Sequence, residues 1–248
     1  MPIGLSIDLP NNNNSMNIIT NIIGDLGYYE KYYTNAKFIK IGSGSYGVIY
    51  LSTATDGSVA VVKKIFLETP AIKEEAINEA KVLHNLTGIN ISPDFYAFAI
   101  EYNYSILIME WVKGKTLTNV FEEVMDNASR EKLLNSIDNV LDILHENGFV
   151  HYDIKPDNIL IENDTNRILL IDFGSSQRIG NKYKNVAQTP HYSKSRSRSP
   201  TEFINSNNSS MNNYSQDTLV TPNANSYSMN IIRKNSLQSG HKSRKNRK

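Results

Sequence analysis

Two short apolar runs, NILIE (158–162) and RILLIDF (167–173), flank Asn163-Asp164 and read as one β-hairpin. Oxygen-bearing side chains bracket it. His151-Tyr152-Asp153-Ile154-Lys155-Pro156-Asp157-Asn158 leads in and Asp172-Phe173-Gly174 closes it, so Asp153, Asn158 and Asp172 converge on one small element. Carboxylate and amide oxygens are the hard donors that Mg²⁺ prefers, completed by nucleotide phosphates. A chance polar turn does not account for an order, a spacing and flanking elements that all agree. The feature also constrains the fold, because the hairpin must follow directly on a long helix.

That helix is the clearest in the chain. Residues 129–147 (SREKLLNSIDNVLDILHEN) place Leu133, Ile137, Val140, Leu141 and Leu144 on one face, with Ser129 as N-cap and Gly148 at the end. Upstream the period is different. FIKIG, GVIYLSTA and SVAVVKKIF, between Phe38 and Phe66, are rich in Val, Ile and Tyr and separated by Gly-rich or Asp-Gly turns, as in a β-meander. Residues 70–86 read as a helix with Pro70 at its start and Ile72, Ala76, Ala80 and Leu83 on one stripe. Residues 104–112 read as a buried strand. In the segment Asn17 to Tyr33, Ile18, Ile19, Ile22, Ile23 and Leu26 have helical spacing, so a short helix is expected there, weakened by Gly24 and Gly27.

Zero cysteines remove disulfide scaffolds, cysteine-ligated zinc, iron–sulfur clusters and thiol nucleophiles. No run approaches the roughly 18–20 apolar residues that span a bilayer, and the start, MPIGLSIDLP, lacks the pattern of a secretory signal. The expectation is an intracellular protein, cytoplasmic or nuclear (in a host cell if the source is viral), with no membrane partner. The net charge of +1 hides an asymmetry: residues 1–172 sum to −10 and residues 173–248 to +11. Residues 193–248 hold 13 Ser and 10 Asn without sustained apolar periodicity, and are expected to be disordered. The basic runs Ser193–Pro200 and His241–Lys248 fit a nucleic-acid or acidic partner, against the plainer reading of solvated disorder.

Gly42-Ser43-Gly44-Ser45-Tyr46-Gly47 matches G-x-G-x-x-G, which is weak alone. Here it leads into a strand rather than a helix, which suits a lid whose bare backbone N–H groups approach phosphates. Lys63 and Lys64 end the strand Val59–Val62, and Glu79 lies on the following helix. Taken singly these are a solvated strand end and a surface ion pair.

Together, the glycine loop, strand lysine, helix glutamate, hinge, catalytic loop and Asp-Phe-Gly occur in the order of the eukaryotic-type protein kinase family, and the chain resembles its serine/threonine branch from about Phe38 to Tyr192. The resemblance implies an α+β, bilobal protein-kinase-like fold: an N-terminal extension (1–36), a β-rich N-lobe with one helix (37–111), a mainly helical, shortened C-lobe (112–192) with the ATP cleft between the lobes, and the tail. It implies ATP and Mg²⁺ as cofactors. Ile41, Gly42, Ser43, Gly44, Ser45, Tyr46, Gly47, Val48 and Ile49 would cover the nucleotide, with Ile41 and Ile49 near adenine. Lys63, in preference to Lys64, would hold the α- and β-phosphates and pair with Glu79. Adjacent strand residues face opposite sides, so only one lysine can point into the cleft. Met109-Glu110-Trp111-Val112 looks like the hinge, with Glu110 and Val112 meeting the adenine edge. Asp153 would be the catalytic base, Lys155 would contact the γ-phosphate, and Asn158 and Asp172 would hold the metal.

Three departures from the family pattern stand out. Tyr152 replaces the usual arginine beside the catalytic aspartate, so a switch through a phosphorylated activation loop is not expected. Val61 stands where alanine usually lies under adenine. Thr189-Pro190-His191-Tyr192 resembles the end of an activation segment, with Ser199-Pro200-Thr201-Glu202 a faint displaced match for A-P-E, and no supporting helices are recognisable beyond. The leading expectation is an ATP- and Mg²⁺-dependent serine/threonine protein kinase acting on protein hydroxyls. The alternatives are a kinase-like nucleotide-binding scaffold, a nucleic-acid-associated protein working through its tail, and a small-molecule phosphotransferase.

Overall fold

A computed structural model describes residues 19–44, 47–123, 125–181, 220, 222, 225, 228–234 and 236. The chain divides into two units, Met1–Val112 and Lys113–Lys248. The first holds strand β1 (Ile19–Gly24), helix α1 (Leu26–Tyr29) running into a π-helical turn (Glu30–Thr34), strands β2 (Ala36–Ser43), β3 (Gly47–Ala54) and β4 (Val59–Phe66), helix α2 (Pro70–Leu86), and strands β5 (Phe95–Glu101) and β6 (Tyr104–Glu110). The strands form one antiparallel sheet in the order β1-β5-β6-β4-β3-β2.

The meander and α2 lie where the sequence expects them. Thr69 caps α2, its Oγ1 accepting from Ile72 N at 3.3 Å, with Pro70 in the first turn. Ile72, Ala76, Ala80 and Leu83 are all buried. Because strand side chains alternate, the sheet has two covered faces. On one, Ala60, Val62, Ala97, Ala99, Ile106 and Ile108 pack with Tyr29 and Tyr32. On the other, Lys63 reaches Glu79 of α2.

The helix expected over 17–33 is corrected by the structure. Its first half is β1, pairing with the edge of β5 through Ile22↔Ala99 and Ile23↔Phe98. Long-range pairing of β-branched residues overrides their helical spacing. Gly24 ends the strand at φ +97, where a Cβ would press on the Tyr96 carbonyl and the Phe95 ring. Asp25 then caps α1 by accepting from Gly27 N at 2.7 Å. The helical remainder lays an aromatic cover on the sheet. Tyr28 stacks on Tyr96 at 4.6 Å, and the Tyr29 hydroxyl bonds the buried Glu101 carboxylate. Burial first, and that carboxylate second, hold the Tyr29 hydroxyl far above the ordinary tyrosine range; burial pushes Tyr33 up to about 12.

The second unit holds β7 (Gly114–Thr116), α3 (Leu117–Glu122), α4 (Asn127–Glu146), β8 (Phe149–Val150), a 3₁₀ turn (Pro156–Asn158), the hairpin β9 (Ile159–Glu162) and β10 (Ile168–Leu170), a second 3₁₀ turn (Phe173–Ser175) and β11 (Gln177–Arg178). The hairpin is antiparallel as expected, and β7 joins it on the β9 side; β8 pairs with β11. Helix α4 begins two residues before Ser129. Its N-cap is Asp126, whose carboxylate accepts from Ser129 N at 2.9 Å and Ser129 Oγ at 2.6 Å. Leu134 rather than Leu133 joins Ile137, Leu141 and Leu144 in the core. Gly148 follows at φ +84, donating to the His145 carbonyl at 2.9 Å.

The expectation of disorder over 193–248 is corrected for part of the segment. Residues 228–234 are helical, and Val220, Asn225, Met229, Ile232 and Ser236 are buried. Met229 and Ile232 lie three apart, on one helical face. That short stripe is hidden by the surrounding Ser/Asn-rich composition. The activation-segment match at 189–192, the A-P-E match at 199–202 and the two basic runs lie outside the described residues. Among the described residues, no helix is long and apolar enough to cross a membrane.

Candidate active site

The predicted residues fall into two sets, one in each unit. In the first, Gly42 and Ser43 end β2, while Gly47, Val48 and Ile49 begin β3, paired as Gly42↔Ile49 and Ser43↔Val48. Gly44 N donates to Gly47 O at 2.9 Å, closing the hairpin. Ser45 and Tyr46 lie outside the described residues. The glycines are not equivalent. A Cβ at Gly47 would collide with the Lys64 carbonyl and come within 3.1 Å of Ile65 Cα, whereas nothing lies within 4 Å of one at Gly44. Gly47 is therefore required by the packing of β3 on β4. At Gly44, whose own N–H is taken by the Gly47 carbonyl, the absent side chain leaves the turn uncovered. Ile41, on β2, is half exposed.

Lys63 and Lys64 separate as strand geometry demands. Lys63 Nζ lies 2.8 Å from both Glu79 carboxylate oxygens, and Glu79 is 3% exposed. Lys64 points to the opposite face, its Nζ 4.0 Å from the Tyr104 ring centroid and 3.4 Å from the Tyr33 hydroxyl. Glu110 ends β6 opposite Ala60. Its N–H donates to Asp94 O at 2.8 Å and its carboxylate accepts from Asp94 N at 3.1 Å, which fixes the backbone that continues to the buried Val112.

In the second unit, Asp153, Lys155 and Asn158 meet. Lys155 Nζ donates to Asp153 Oδ2 at 2.6 Å, and Asn158 Nδ2 donates to the same oxygen at 2.8 Å and to Asp153 O at 2.9 Å. These charge-assisted bonds fix the carboxylate on a loop without regular structure. With the Asn158 amino group committed to Asp153, its Oδ1 is the end turned away. Ile171 N donates to Asn158 O at 3.0 Å, so Asp172 follows directly on a residue bonded to Asn158. Asp172 has φ +67 and Phe173 is fully buried, 4.9 Å ring to ring from His151. A left-handed backbone at a non-glycine residue persists only where the surrounding structure over-determines it. His151, fully buried, accepts from Asp153 N through Nδ1 at 3.3 Å and faces Ile171 O through Nε2 at 3.1 Å, so its Nε2 carries the proton. Burial holds it neutral, below its ordinary value. The donor set of Asn158 Oδ1 and the Asp172 carboxylate is all oxygen, which suits Mg²⁺.

Three supports escape the sequence reading. Thr118 Oγ1 of α3 donates to Asp157 at 2.6 Å. Val220 brackets the segment after β11, accepting from Gly180 N at 3.2 Å and donating to Asn181 O at 3.0 Å. The buried Asn225 accepts from Tyr152 N at 3.4 Å, beside Asp153. These partners lie far away in sequence; the one local signal is the spacing of Met229 and Ile232.

Comparison with known proteins agrees with this geometry. The family described as "Protein kinase domain" matches residues 36–216. The chain is 27% identical over 176 residues to the serine/threonine-protein kinase PAK 4 of Homo sapiens, covering 69% of this chain and 29% of that protein. It is 31% identical over 160 residues to the serine/threonine-protein kinase PAK 5 of Rattus norvegicus, covering 62% and 22%. The chain thus spans less than a third of the curated relatives it matches. With six motifs in family order, the Lys63–Glu79 pair formed and the family match running through residues of both units, the chain belongs to the protein kinase domain family.

Proposed function

We propose that the protein is an ATP- and Mg²⁺-dependent kinase that transfers the γ-phosphoryl group of ATP to a serine or threonine hydroxyl of a protein. The observation that carries this reading is the Asp153–Lys155–Asn158 cluster, in which both side-chain bonds fall on Asp153 Oδ2. Asp153 Oδ1 then accepts the proton of the substrate hydroxyl while that oxygen bonds to the γ-phosphorus. The bond from the γ-phosphorus to its bridging oxygen breaks and ADP leaves. Lys155 keeps a positive charge beside the transferred group, and Lys63, oriented by Glu79, holds the remaining phosphates. Mg²⁺, when bound through Asn158 and Asp172, neutralises the phosphate charge. Positioning and charge neutralisation supply most of such a rate, so the lysines and Asn158 weigh as much as the base.

Phosphoamino-acid analysis of a generic basic protein after incubation with labelled ATP and Mg²⁺ tests the acceptor class. Phosphoserine and phosphothreonine are expected. Phosphotyrosine alone, or label on small molecules only, overturns it.

A further inference from the structure

Asn225 is 1% exposed and has two side-chain contacts that constrain each other. Its Oδ1 accepts from Tyr152 N at 3.4 Å, and its Nδ2 lies 2.9 Å from His145 Nε2. With Oδ1 committed to an N–H donor, the amino end of the amide faces the ring. An amino group only donates, so His145 Nε2 must accept, which a neutral imidazole with its proton on Nδ1 does and an imidazolium cannot. Turning the amide over sets its NH₂ against the Tyr152 N–H. One arrangement is self-consistent, and it excludes the charged ring.

We propose that Asn225 and His145 form an acid-sensitive latch on the catalytic loop: neutral His145 holds Asn225 against Tyr152, and protonation at Nε2 releases it. Tyr152 has φ +64, a conformation a non-glycine residue keeps only where its surroundings over-determine it, and it directly precedes Asp153. Asn225 and His145 are thus positioning residues, and their effect on activity rests on the phosphotransfer reading above. Burial holds His145 below its ordinary value, while Asp142 on the same helix pulls the other way, as does the C-terminal end of α4. Among the described residues, the strands packed on α4 bring no charge to the ring. β8 (Phe149–Val150) and β10 (Ile168–Leu170) carry no titratable side chain. In the 225–236 segment the neutral Asn225 faces the ring, Arg233 pairs with Asn135 and Asp138, and Lys234 is exposed.

The test follows the His145 ring and the Tyr152 amide of the full chain by NMR between about pH 8 and about pH 5, with Asn225→Asp and His145→Gln beside the wild type. In the wild type the Tyr152 amide should titrate with the His145 midpoint, below the ordinary 6.5. In Asn225→Asp a carboxylate accepts from both the Tyr152 N–H and the imidazolium, so the midpoint should rise by about one unit or more. In His145→Gln the Tyr152 amide should no longer respond. Phosphotransfer should fall about tenfold per pH unit below the midpoint in the wild type, and lose that limb in His145→Gln. A Tyr152 amide that ignores the His145 midpoint, or a midpoint unmoved in Asn225→Asp, overturns the latch, whatever the activity. Linked titration without transfer at any pH supports the latch and instead overturns the phosphotransfer reading.

Discussion

At the scale of single residues, the glycine loop gives a sharp contrast. Gly47→Ala forces a methyl group into the β4 backbone, with no flexible side chain to give way. It should destabilise the protein by about 1–3 kcal/mol, read as a lower urea midpoint. Gly44→Ala meets open space and should stay within about 0.5 kcal/mol. Equal losses for the two would contradict the packing account. Lys63→Met should cost about 3 kcal/mol, because it removes the lysine charge from the buried carboxylate of Glu79, which is 3% exposed. Adding Glu79→Gln should recover part of that loss by removing the buried charge. Stability falling further in the double variant would contradict a cost from buried, unneutralised charge. Strand alternation admitted only one of two adjacent lysines on the α2 face, and the family resemblance, not the geometry, pointed to Lys63. The left-handed backbone at Tyr152 and Asp172 was not legible, since tyrosine gives no such signal and aspartate only a weak one.

At the scale of elements, local chemistry decided what could be read in advance. The start of α2 follows from Thr69-Pro70 and its face from a clean apolar stripe. The start of α4 was misplaced because Asp126 and Ser129 are both good caps, and only the carboxylate reaches the Ser129 N–H. β1 was unreadable as a strand, because its identity comes from a partner distant in sequence, as in Ile23↔Phe98. The helix at 228–234 was lost in a composition that averages to disorder. The aromatic cover laid on the sheet by α1 and the π-helical turn is structural, by this account. Tyr29→Phe should cost about 1–3 kcal/mol by removing a buried hydroxyl from the Glu101 carboxylate, with thermal unfolding as the readout. An unchanged melting temperature would mean that Tyr33, the other hydroxyl near Glu101, carries the contact alone.

At the scale of the whole molecule, the chemistry is divided. The glycine loop and Lys63–Glu79 belong to the first unit, while Asp153, Lys155, Asn158 and Asp172 belong to the second. The motif order in the sequence was sufficient to identify the family. It gave no sign that Val220, Asn225 and the helix at 228–234 pack against the segment after β11, the catalytic loop and α4. Their contacts to Asn181, Tyr152 and α4 predict that the full chain carries its own bracing for the catalytic loop. ATP with Mg²⁺ should raise the melting temperature of the full chain, and chelating the metal should reverse most of that rise. Stabilisation that ignores chelation would argue against Asn158 and Asp172 as the metal-holding pair. The central claim is tested most directly by γ-phosphate transfer from labelled ATP with Mg²⁺ to a generic basic protein, comparing the wild type with Asp153→Ala. Transfer by the wild type and a loss of at least about a hundredfold in the variant are expected, with the fold intact. A folded Asp153→Ala protein transferring at the wild-type rate would contradict that claim.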